Sequence, residues 1–252
     1  MSGAIGLKLA SAGPSAASHT ASTPAQPTFT LPAPPSGFAI PKPTELSDAT
    51  GQTRWAPVIR ATPARAQPSA SSRVVNFVST ITPEGTANIV VATGEVSRDG
   101  LTWVRASLPA LAAAAKTGWV PRSSLGGWSF VDTHVVIDRN RLTLTLFRNG
   151  HSVFQTPVGV GTSTNPTPAG TFYIRDRLTS FASPEYGPLA FGTSARAPYL
   201  TGWPDGGYIG IHGTDAPQLI PGHISHGCIR LQNSAILKLG RLMPVGTPVI
   251  VK

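Results

Sequence analysis

The alternation of apolar and polar residues is clearest in the second half of the chain. Within Leu142–Arg148, leucines at 142, 144 and 146 alternate with Thr143 and Thr145, which is the period of a half-buried strand. Asn149-Gly150 follows and predicts a type I′ turn into a second strand over Ser152–Val160. Similar apolar runs predict four more strands, over Thr133–Asp138, Thr171–Arg175, Tyr208–Ile211 and Thr247–Val251.

One short helix is predicted near the end of the chain. Apolar residues recur at helical spacing within Ala235–Met243, Asn233 or Ser234 is expected to cap this segment, and Pro244 and Gly246 end it. One helix among many strands predicts a mainly β fold, sandwich-like or barrel-like, for residues 128–252.

Residues 53–127 predict a second, smaller β domain. Short strands separated by turns are expected over Trp55–Thr62, Val74–Ile81, Asn88–Thr93, Leu101–Ala106 and Thr117–Pro121. Strands this short and this closely spaced favour a small β-barrel. The Thr117–Pro121 strand, with its Gly-Trp-Val centre, resembles the last strand of bacterial SH3-like modules. A structural domain without a ligand explains these residues equally well.

Residues 1–52 predict a disordered tail. Alanine, serine, threonine and proline dominate this segment, which buries too little apolar surface to offset the entropy of ordering. Met1–Ala12 contains Lys8, but its apolar stretch is short and glycine-containing, so it is a poor or truncated secretory signal. The spacer composition still resembles the tether of an exported bacterial protein, which predicts an extracytoplasmic location.

Charge adds little to this picture. The net charge of +9 comes from 20 lysines and arginines against 11 acidic residues, and the excess is scattered along the chain. Scattered cations usually form a solvated surface, although a cell-wall polymer would also suit them. No nucleic-acid-binding motif is present, so a nucleic-acid partner is not expected.

The candidate chemistry lies around the single cysteine, Cys228, which can form no intrachain disulfide. It follows Ser225-His226-Gly227, and His212 stands sixteen residues before it. A free thiol with a pKa of about 8.5 is mostly protonated near neutrality, and an adjacent imidazole can remove its proton. The backbone N–H groups of Gly227 and Cys228 are candidates for stabilising an oxyanion.

The cysteine has two other interpretations. A buried packing role suits Ser-His-Gly surroundings poorly. A zinc site could draw on His212, His223, His226 and Cys228, but these residues lack the paired spacing of zinc ligands. A nucleophilic site is preferred, and it requires neither a metal nor an organic cofactor; His223 is then an ordinary loop residue.

These motifs resemble the signature of the YkuD-type L,D-transpeptidases. The resemblance consists of Ile211-His212-Gly213 and Ser225–Leu231, and of the upstream stretches Gly159–Gly161, Thr167–Phe172 and Tyr186–Pro188. It covers about residues 131–252. Arg230 stands where many members of the family have asparagine.

The resemblance implies acyl transfer on peptidoglycan stem peptides, giving 3→3 cross-links through a thioester on Cys228, by a protein expected to be a monomer. It implies that His212 accepts the proton and that the Gly213 carbonyl orients His212. His226 shapes the site, Ser225 holds the loop, and Gly227 contributes to the oxyanion hole. Arg230 is expected to pair with a substrate carboxylate or with Asp215. A carbapenem should acylate Cys228.

Other outcomes of the same chemistry stay open. Water could resolve the thioester, as in an L,D-carboxypeptidase, or a protein amine could become attached to the wall. A non-catalytic wall-binding protein is the alternative from a different class.

Overall fold

A computed structural model describes residues 41–109, 116–179, 183–197 and 207–252, and most of its regular structure is β-strand. Residues 40–252 belong to one compact unit. The predicted tail lies outside the described residues as far as residue 40. No helix in the described part of the chain has the length and apolar character needed to cross a membrane.

The first half of the described chain forms an antiparallel sheet of eight strands. They are β1 (Thr44–Glu45), β2 (Thr53–Pro57), β3 (Thr62–Arg65), β4 (Val74–Val78), β5 (Ile89–Arg98), β6 (Leu101–Ser107), β7 (Thr117–Pro121) and β8 (Ser129–Val131). The sheet order is β4-β3-β7-β6-β5-β2-β8, with β1 on β5. One face buries a small core that includes Ala56, Val90, Val104 and Val120. The SH3-like character of this region stays a prediction.

Two local differences from the predictions have clear causes. The predicted strand Trp55–Thr62 is two strands, because β2 pairs with β5 and β8 whereas β3 pairs with β4 and β7. Strand β1 lies inside the segment assigned to the tail. Its ordering comes from pairing with β5 and from Ser47, whose hydroxyl donates to the Ala92 carbonyl at 2.5 Å.

The second half forms a mixed sheet of ten strands with one helix against it. The strands are β9 (Thr133–Asp138), β10 (Thr143–Arg148), β11 (His151–Pro157), β12 (Gly159–Gly161), β13 (Gly170–Leu178), β14 (Ala190–Arg196), β15 (Tyr208–His212), β16 (Gly222–Ser225), β17 (Ile229–Arg230) and β18 (Pro248–Val251). Their order is β11-β10-β9-β18-β13-β14-β15-β17-β12-β16. Helix α1 (Asn233–Leu242) buries Ile236 and Leu239 in the core of this sheet. The mainly β fold with one short helix among the described residues is therefore confirmed.

The hairpin predicted from leucine alternation forms, but its predicted second strand, Ser152–Val160, is two strands: β11 ends at Pro157, and β12 pairs with β16 and β17 instead. Leu144 and Leu146 are fully buried, and the turn residues Asn149 and Gly150 have φ values of 48° and 78°. Both values are positive, as a type I′ turn requires. The start of α1 differs from the prediction: Gln232 is the N-cap residue and no side chain caps the helix. Asn233 is engaged elsewhere, because its Oδ1 accepts from the Thr214 N–H at 2.9 Å.

The two sheets touch along β5 and β13. Tyr173 of β13 is buried with Ile89 and Val91 of β5, and Trp55 packs against this cluster. Arg175, on the same strand as Tyr173, pairs with Glu84 from the turn before β5. These contacts bring residues of the first sheet to the side of the second that carries the predicted site.

Candidate active site

The parallel pairing of β15 and β17 brings the predicted base and nucleophile together. Ile211 lies opposite Ile229 and His212 opposite Arg230, so Cys228, just before β17, lies beside Gly210. The Gly210 N–H donates to Cys228 Sγ at 3.3 Å. A Cβ added at Gly210 would lie 3.6 Å from His212 Cδ2 and 3.9 Å from Cys228 Sγ. The two side chains therefore converge on this glycine, which carries no side chain to separate them.

His212 is held in one orientation and one tautomer. Its Nδ1 lies 2.7 Å from the Gly213 carbonyl oxygen, as predicted for the orienting group. A carbonyl only accepts, so Nδ1 carries the proton and Nε2 is the free basic nitrogen. Tyr186 packs on the imidazole with a centroid separation of 4.9 Å.

Burial keeps the imidazole of His212 neutral. Its side chain is almost fully enclosed, and desolvation lowers its pKa to about 4. The hydrogen bond to Gly213 acts against this shift, and the positive charge of Arg230 adds to it. At neutral pH His212 can therefore accept a proton.

Burial also keeps Cys228 in the thiol form. Desolvation raises the pKa of the thiol, and Glu185 adds to the rise, whereas the Gly210 N–H and Arg230 act in the opposite direction. Both groups of the pair are thus neutral at rest. An attack of this sulfur on a carbonyl would therefore require proton transfer to His212.

The loop that carries Cys228 is fixed by three hydrogen bonds, two of them buried and one partly buried. Ser225 Oγ donates to the Cys228 carbonyl at 2.6 Å and accepts from the Gly227 N–H at 3.1 Å. Thr167 Oγ1 donates to the Gly227 carbonyl at 2.8 Å. Gly227 has a φ of 115°, a backbone conformation that favours glycine. Ser225 holds the loop, as the resemblance implied.

The hydrogen bond from Gly227 changes the expected oxyanion hole. Its N–H is occupied by Ser225 Oγ and is therefore not aimed at a substrate. No described group accepts from the Cys228 N–H, which leaves that amide as the donor available to a developing oxyanion. The prediction of a Gly227 donor is corrected accordingly; the glycine instead allows the backbone conformation of the loop.

The remaining predicted residues separate into two groups. His226 is exposed and, like Arg230, lines a cavity beside Cys228. His223 is also exposed, and its Nδ1 lies 3.2 Å from the Gly161 carbonyl oxygen, outside that cavity.

Arg230 forms no ion pair with Asp215, so that predicted pairing is wrong; Asp215 is exposed on the loop after His212. The Arg230 Nε is buried without a hydrogen-bond partner among the described residues.

Two cavities meet at the Cys228–His212 pair. Tyr186, Tyr208, His212 and Cys228 line both of them. The first has a volume of about 150 Å³ and also involves Glu185, Ser225, His226 and Arg230; we call it the Arg230 cavity. The second has a volume of about 180 Å³ and extends to Glu84 of the first sheet; we call it the Glu84 cavity. The pair can therefore be approached from two directions.

Several site residues were missed by sequence reasoning. Thr167 and Tyr186 lie in stretches that carry the resemblance, but nothing in the sequence indicates their contacts. Asn233 was assigned to a helix cap. Glu84 was assigned to a turn of the other domain, and only tertiary contact brings it here.

The zinc alternative receives no geometric support among the described residues. No group of three or more histidine, cysteine, aspartate or glutamate side chains comes together there as a metal site needs. Instead, the His212 Nδ1 and the His223 Nδ1 each face a backbone carbonyl oxygen.

Comparison with known proteins agrees with this geometry. Residues 132–251 match the family model of the YkuD L,D-transpeptidase catalytic domain. The chain is 29% identical over 166 residues to Bacillus subtilis YkuD, whose name assigns it to the L,D-transpeptidases; the match covers 66% of this chain and 93% of that protein. Its counterpart in Bacillus licheniformis is 31% identical over 115 residues, covering 46% of this chain and 62% of the relative.

Solved structures give more distant matches. The catalytic domain of the Enterococcus faecium L,D-transpeptidase is 24% identical, with a TM-score of 0.38 over 48% of this chain and 97% of that one. An L,D-transpeptidase from Mycobacterium smegmatis is 17% identical, with a TM-score of 0.39 over 60% of this chain and 90% of that one.

The fold and the paired Cys228 and His212 define a domain suited to acyl transfer. Residues 132–251 match the catalytic-domain model of the YkuD L,D-transpeptidase family, in agreement with the resemblance carried by the motifs.

Proposed function

We propose that this protein is a cysteine-dependent L,D-transpeptidase that joins peptidoglycan stem peptides by 3→3 cross-links. The observation that carries the proposal is the convergence of Cys228 Sγ and His212 over Gly210, where two cavities meet. Two cavities suit a reaction in which a donor and an acceptor must reach the same sulfur.

In the first half of the reaction, Cys228 Sγ attacks the carbonyl of the third residue of a tetrapeptide stem. His212 Nε2 takes the thiol proton as the C–S bond forms, and the Cys228 N–H stabilises the oxyanion. The tetrahedral intermediate collapses, the C–N bond to the terminal D-Ala breaks, and His212 returns the proton to the leaving amine. The product is a thioester and a neutral His212.

In the second half, the side-chain amine of another stem attacks the thioester. The C–N bond forms, the C–S bond breaks, and the amine proton passes through His212 to Cys228. Because His212 begins and ends each half-reaction neutral, its pKa of about 4 keeps it ready at neutral pH. The two stem peptides, Cys228 and His212 account for every bond and proton in the reaction, so no further reagent is needed.

Arg230 is proposed to bind the carboxylate of the departing D-Ala. It lines the Arg230 cavity, and its Nε is buried without a partner, an arrangement that costs free energy unless a ligand satisfies it. A carboxylate is the acceptor that matches a guanidinium best. His226 lines the same cavity and would shape the path of the donor stem.

The proposed substrate also places the protein where peptidoglycan is found, outside the cytoplasmic membrane. The excess of 20 lysines and arginines over 11 acidic residues suits the anionic polymers of a cell wall. A role in maintaining cell shape would follow from cross-linking.

Product analysis tests the proposal. Purified full-length protein is incubated with disaccharide-tetrapeptide beside the Cys228→Ala and His212→Ala variants, and products are identified by mass spectrometry. We expect the wild type to form a dimer that lacks one D-Ala, and Cys228→Ala to form none. His212→Ala should acylate more slowly by about two orders of magnitude or more, the scale of a lost general base.

Each other outcome indicates a different function. A tripeptide monomer would indicate hydrolysis of the same thioester, as in an L,D-carboxypeptidase. An acyl-enzyme that only a protein amine resolves would indicate attachment to the wall. Equal wall binding by wild type and Cys228→Ala, with no acylation of either, would favour a non-catalytic wall-binding protein and overturn the proposal.

A further inference from the structure

Glu84 is an acidic residue of the first sheet region that reaches the active site of the second. It lies in the turn before β5, and its side chain is 13% exposed. It lines the Glu84 cavity together with His212 and Cys228. Among the described residues, it is the one that the first sheet region contributes to that cavity.

The carboxylate of Glu84 is only half satisfied. Oε1 accepts from Arg175, whereas Oε2 is buried and has no hydrogen-bond partner among the described residues. A buried carboxylate oxygen without a donor costs free energy, and an incoming N–H donor would recover it. Glu84 therefore presents unused acceptor capacity at the edge of the cavity.

The charge around Glu84 favours a cation. Arg175 is the shared partner of Glu84 and of Asp176, whose Oδ2 lies 3.8 Å from the guanidinium. When both carboxyl groups are ionised, one guanidinium faces two negative charges. Burial, together with repulsion from Glu84, raises the pKa of Asp176, so an added positive charge would relieve both carboxyl groups.

Apart from the residues that line both cavities, the two cavities differ in their charged groups. Among the described residues, the charged groups of the Arg230 cavity are Arg230 and Glu185, whereas the Glu84 cavity has Glu84 alone. The unpartnered Arg230 Nε suits a carboxylate in the first cavity, and the unpartnered Glu84 Oε2 suits an ammonium group in the second. The donor stem brings a terminal carboxylate to the reaction, and the acceptor stem brings a side-chain amine.

We propose that Glu84 is a specificity-determining residue that captures the side-chain ammonium of the acceptor stem in the Glu84 cavity. The inference rests on the proposed transpeptidation. The ammonium group enters beside the thioester, releases one proton to solvent, and the free amine then attacks the carbonyl carbon. Its second proton passes through His212 to the sulfur as the C–S bond breaks. The first sheet thereby selects an amine acceptor for the catalytic domain.

The test compares full-length wild type with Glu84→Gln, which keeps an oxygen that can accept from Arg175. The matched control is Glu45→Gln, because Glu45 also pairs with an arginine of the first sheet, at 2.8 Å from Arg105, but lies outside both cavities. Donor acylation of Cys228 is followed by mass spectrometry. Transfer is followed separately, as dimer formation at increasing concentrations of disaccharide-tripeptide acceptor.

We expect Glu84→Gln to raise the KM for the acceptor roughly tenfold or more, the scale of a lost charge-assisted hydrogen bond. Donor acylation should stay within about twofold of wild type, and Glu45→Gln should match wild type in both steps. Hydroxylamine, a small uncharged nucleophile, should release the acyl group from wild type and Glu84→Gln at equal rates, because it offers no ammonium group to capture.

The outcomes separate this inference from the proposed function. If wild type forms no acyl-enzyme, the transpeptidase proposal fails and the inference fails with it. Dimer formation with the same acceptor KM in wild type and Glu84→Gln would overturn the inference alone. A Glu84→Gln variant slowed equally in donor acylation, amine transfer and hydroxylamine release would show that Glu84 has a structural role and would also overturn it.

Discussion

At Cys228 and His212, burial determines the protonation state more strongly than their mutual proximity does. Desolvation raises the pKa of the thiol and lowers the pKa of the imidazole to about 4. Both shifts favour the neutral forms, so the resting pair is a thiol and an imidazole rather than an ion pair. In the proposed mechanism, the sulfur becomes strongly nucleophilic only as its proton moves to His212 during attack.

The acid limb of acylation should therefore lie near pH 4. His212 accepts a proton only when neutral, so the acylation rate should fall as pH decreases through its lowered pKa of about 4 and not near its ordinary value of 6.5. The measurement is the carbapenem acylation rate of Cys228 between pH 3.5 and 8, with circular dichroism confirming the fold at each pH. A midpoint near pH 6.5 would contradict the neutral-pair description.

At the scale of elements, the site depends on short connections around β15 and β17. The parallel pairing of these strands determines the positions of His212 and Cys228, and the loop before β17 is fixed by Ser225 and Thr167. The Thr167 hydroxyl also accepts from the Gly161 N–H at 2.9 Å. One hydroxyl therefore joins β12 to the loop that carries Cys228.

Replacing Thr167 by valine should loosen the loop that carries Cys228. The change keeps the side-chain shape but leaves the Gly161 N–H and the Gly227 carbonyl without their partner, at a cost of about 1–3 kcal/mol in unfolding free energy. Carbapenem acylation of Cys228 should also slow. Denaturant unfolding measures the loss of stability, and acylation kinetics measure the loss of rate. The control is Thr164→Val, an exposed position in the loop between β12 and β13 that also contains Thr167. Equal stability and rate in Thr167→Val and Thr164→Val would refute this role.

How well a feature could be predicted from the sequence depended on how far apart in sequence its interacting residues lie. The leucine hairpin and the Cys228–His212 pair were predictable, because period, turn chemistry and motif are local in sequence. The prediction that the Gly227 N–H stabilises an oxyanion was wrong, because this N–H donates to Ser225 Oγ instead. That contact depends on how the loop folds. Glu84 was not predictable at all, since its role depends on contact between two sheets.

At the scale of the whole molecule, the two sheets share an interface that includes a buried ion pair. Arg175 is 2% exposed, pairs with Glu84 of the first sheet region, and donates to the Thr193 carbonyl of its own sheet at 3.0 Å. Its guanidinium also lies 3.8 Å from the Tyr208 ring centroid. The same arginine therefore contributes to the interface and contacts Glu84 and Tyr208, two residues that line the Glu84 cavity.

Replacing Arg175 by methionine should destabilise the protein strongly. Glu84 and Asp176 would lose their shared cation while remaining buried, and breaking such a pair typically costs about 3–5 kcal/mol. Calorimetry should show Tm lowered by about 10 °C. Arg177→Met, an exposed position on the same strand, is the control and should change Tm little. A Tm for Arg175→Met equal to that of the control would exclude this contribution.

The burial of Cys228 has a further consequence for the chemical lifetime of the enzyme. Peroxides oxidise thiolates far faster than thiols, and a raised pKa keeps Cys228 in the thiol form at neutral pH. Cys228, the proposed nucleophile, is thus shielded from sulfenic acid formation, without a second cysteine to protect it as a disulfide. Under the proposed mechanism, reactivity would be confined to the moment when a substrate carbonyl occupies the site, which would suit a single unprotected sulfur to the proposed location outside the cytoplasmic membrane.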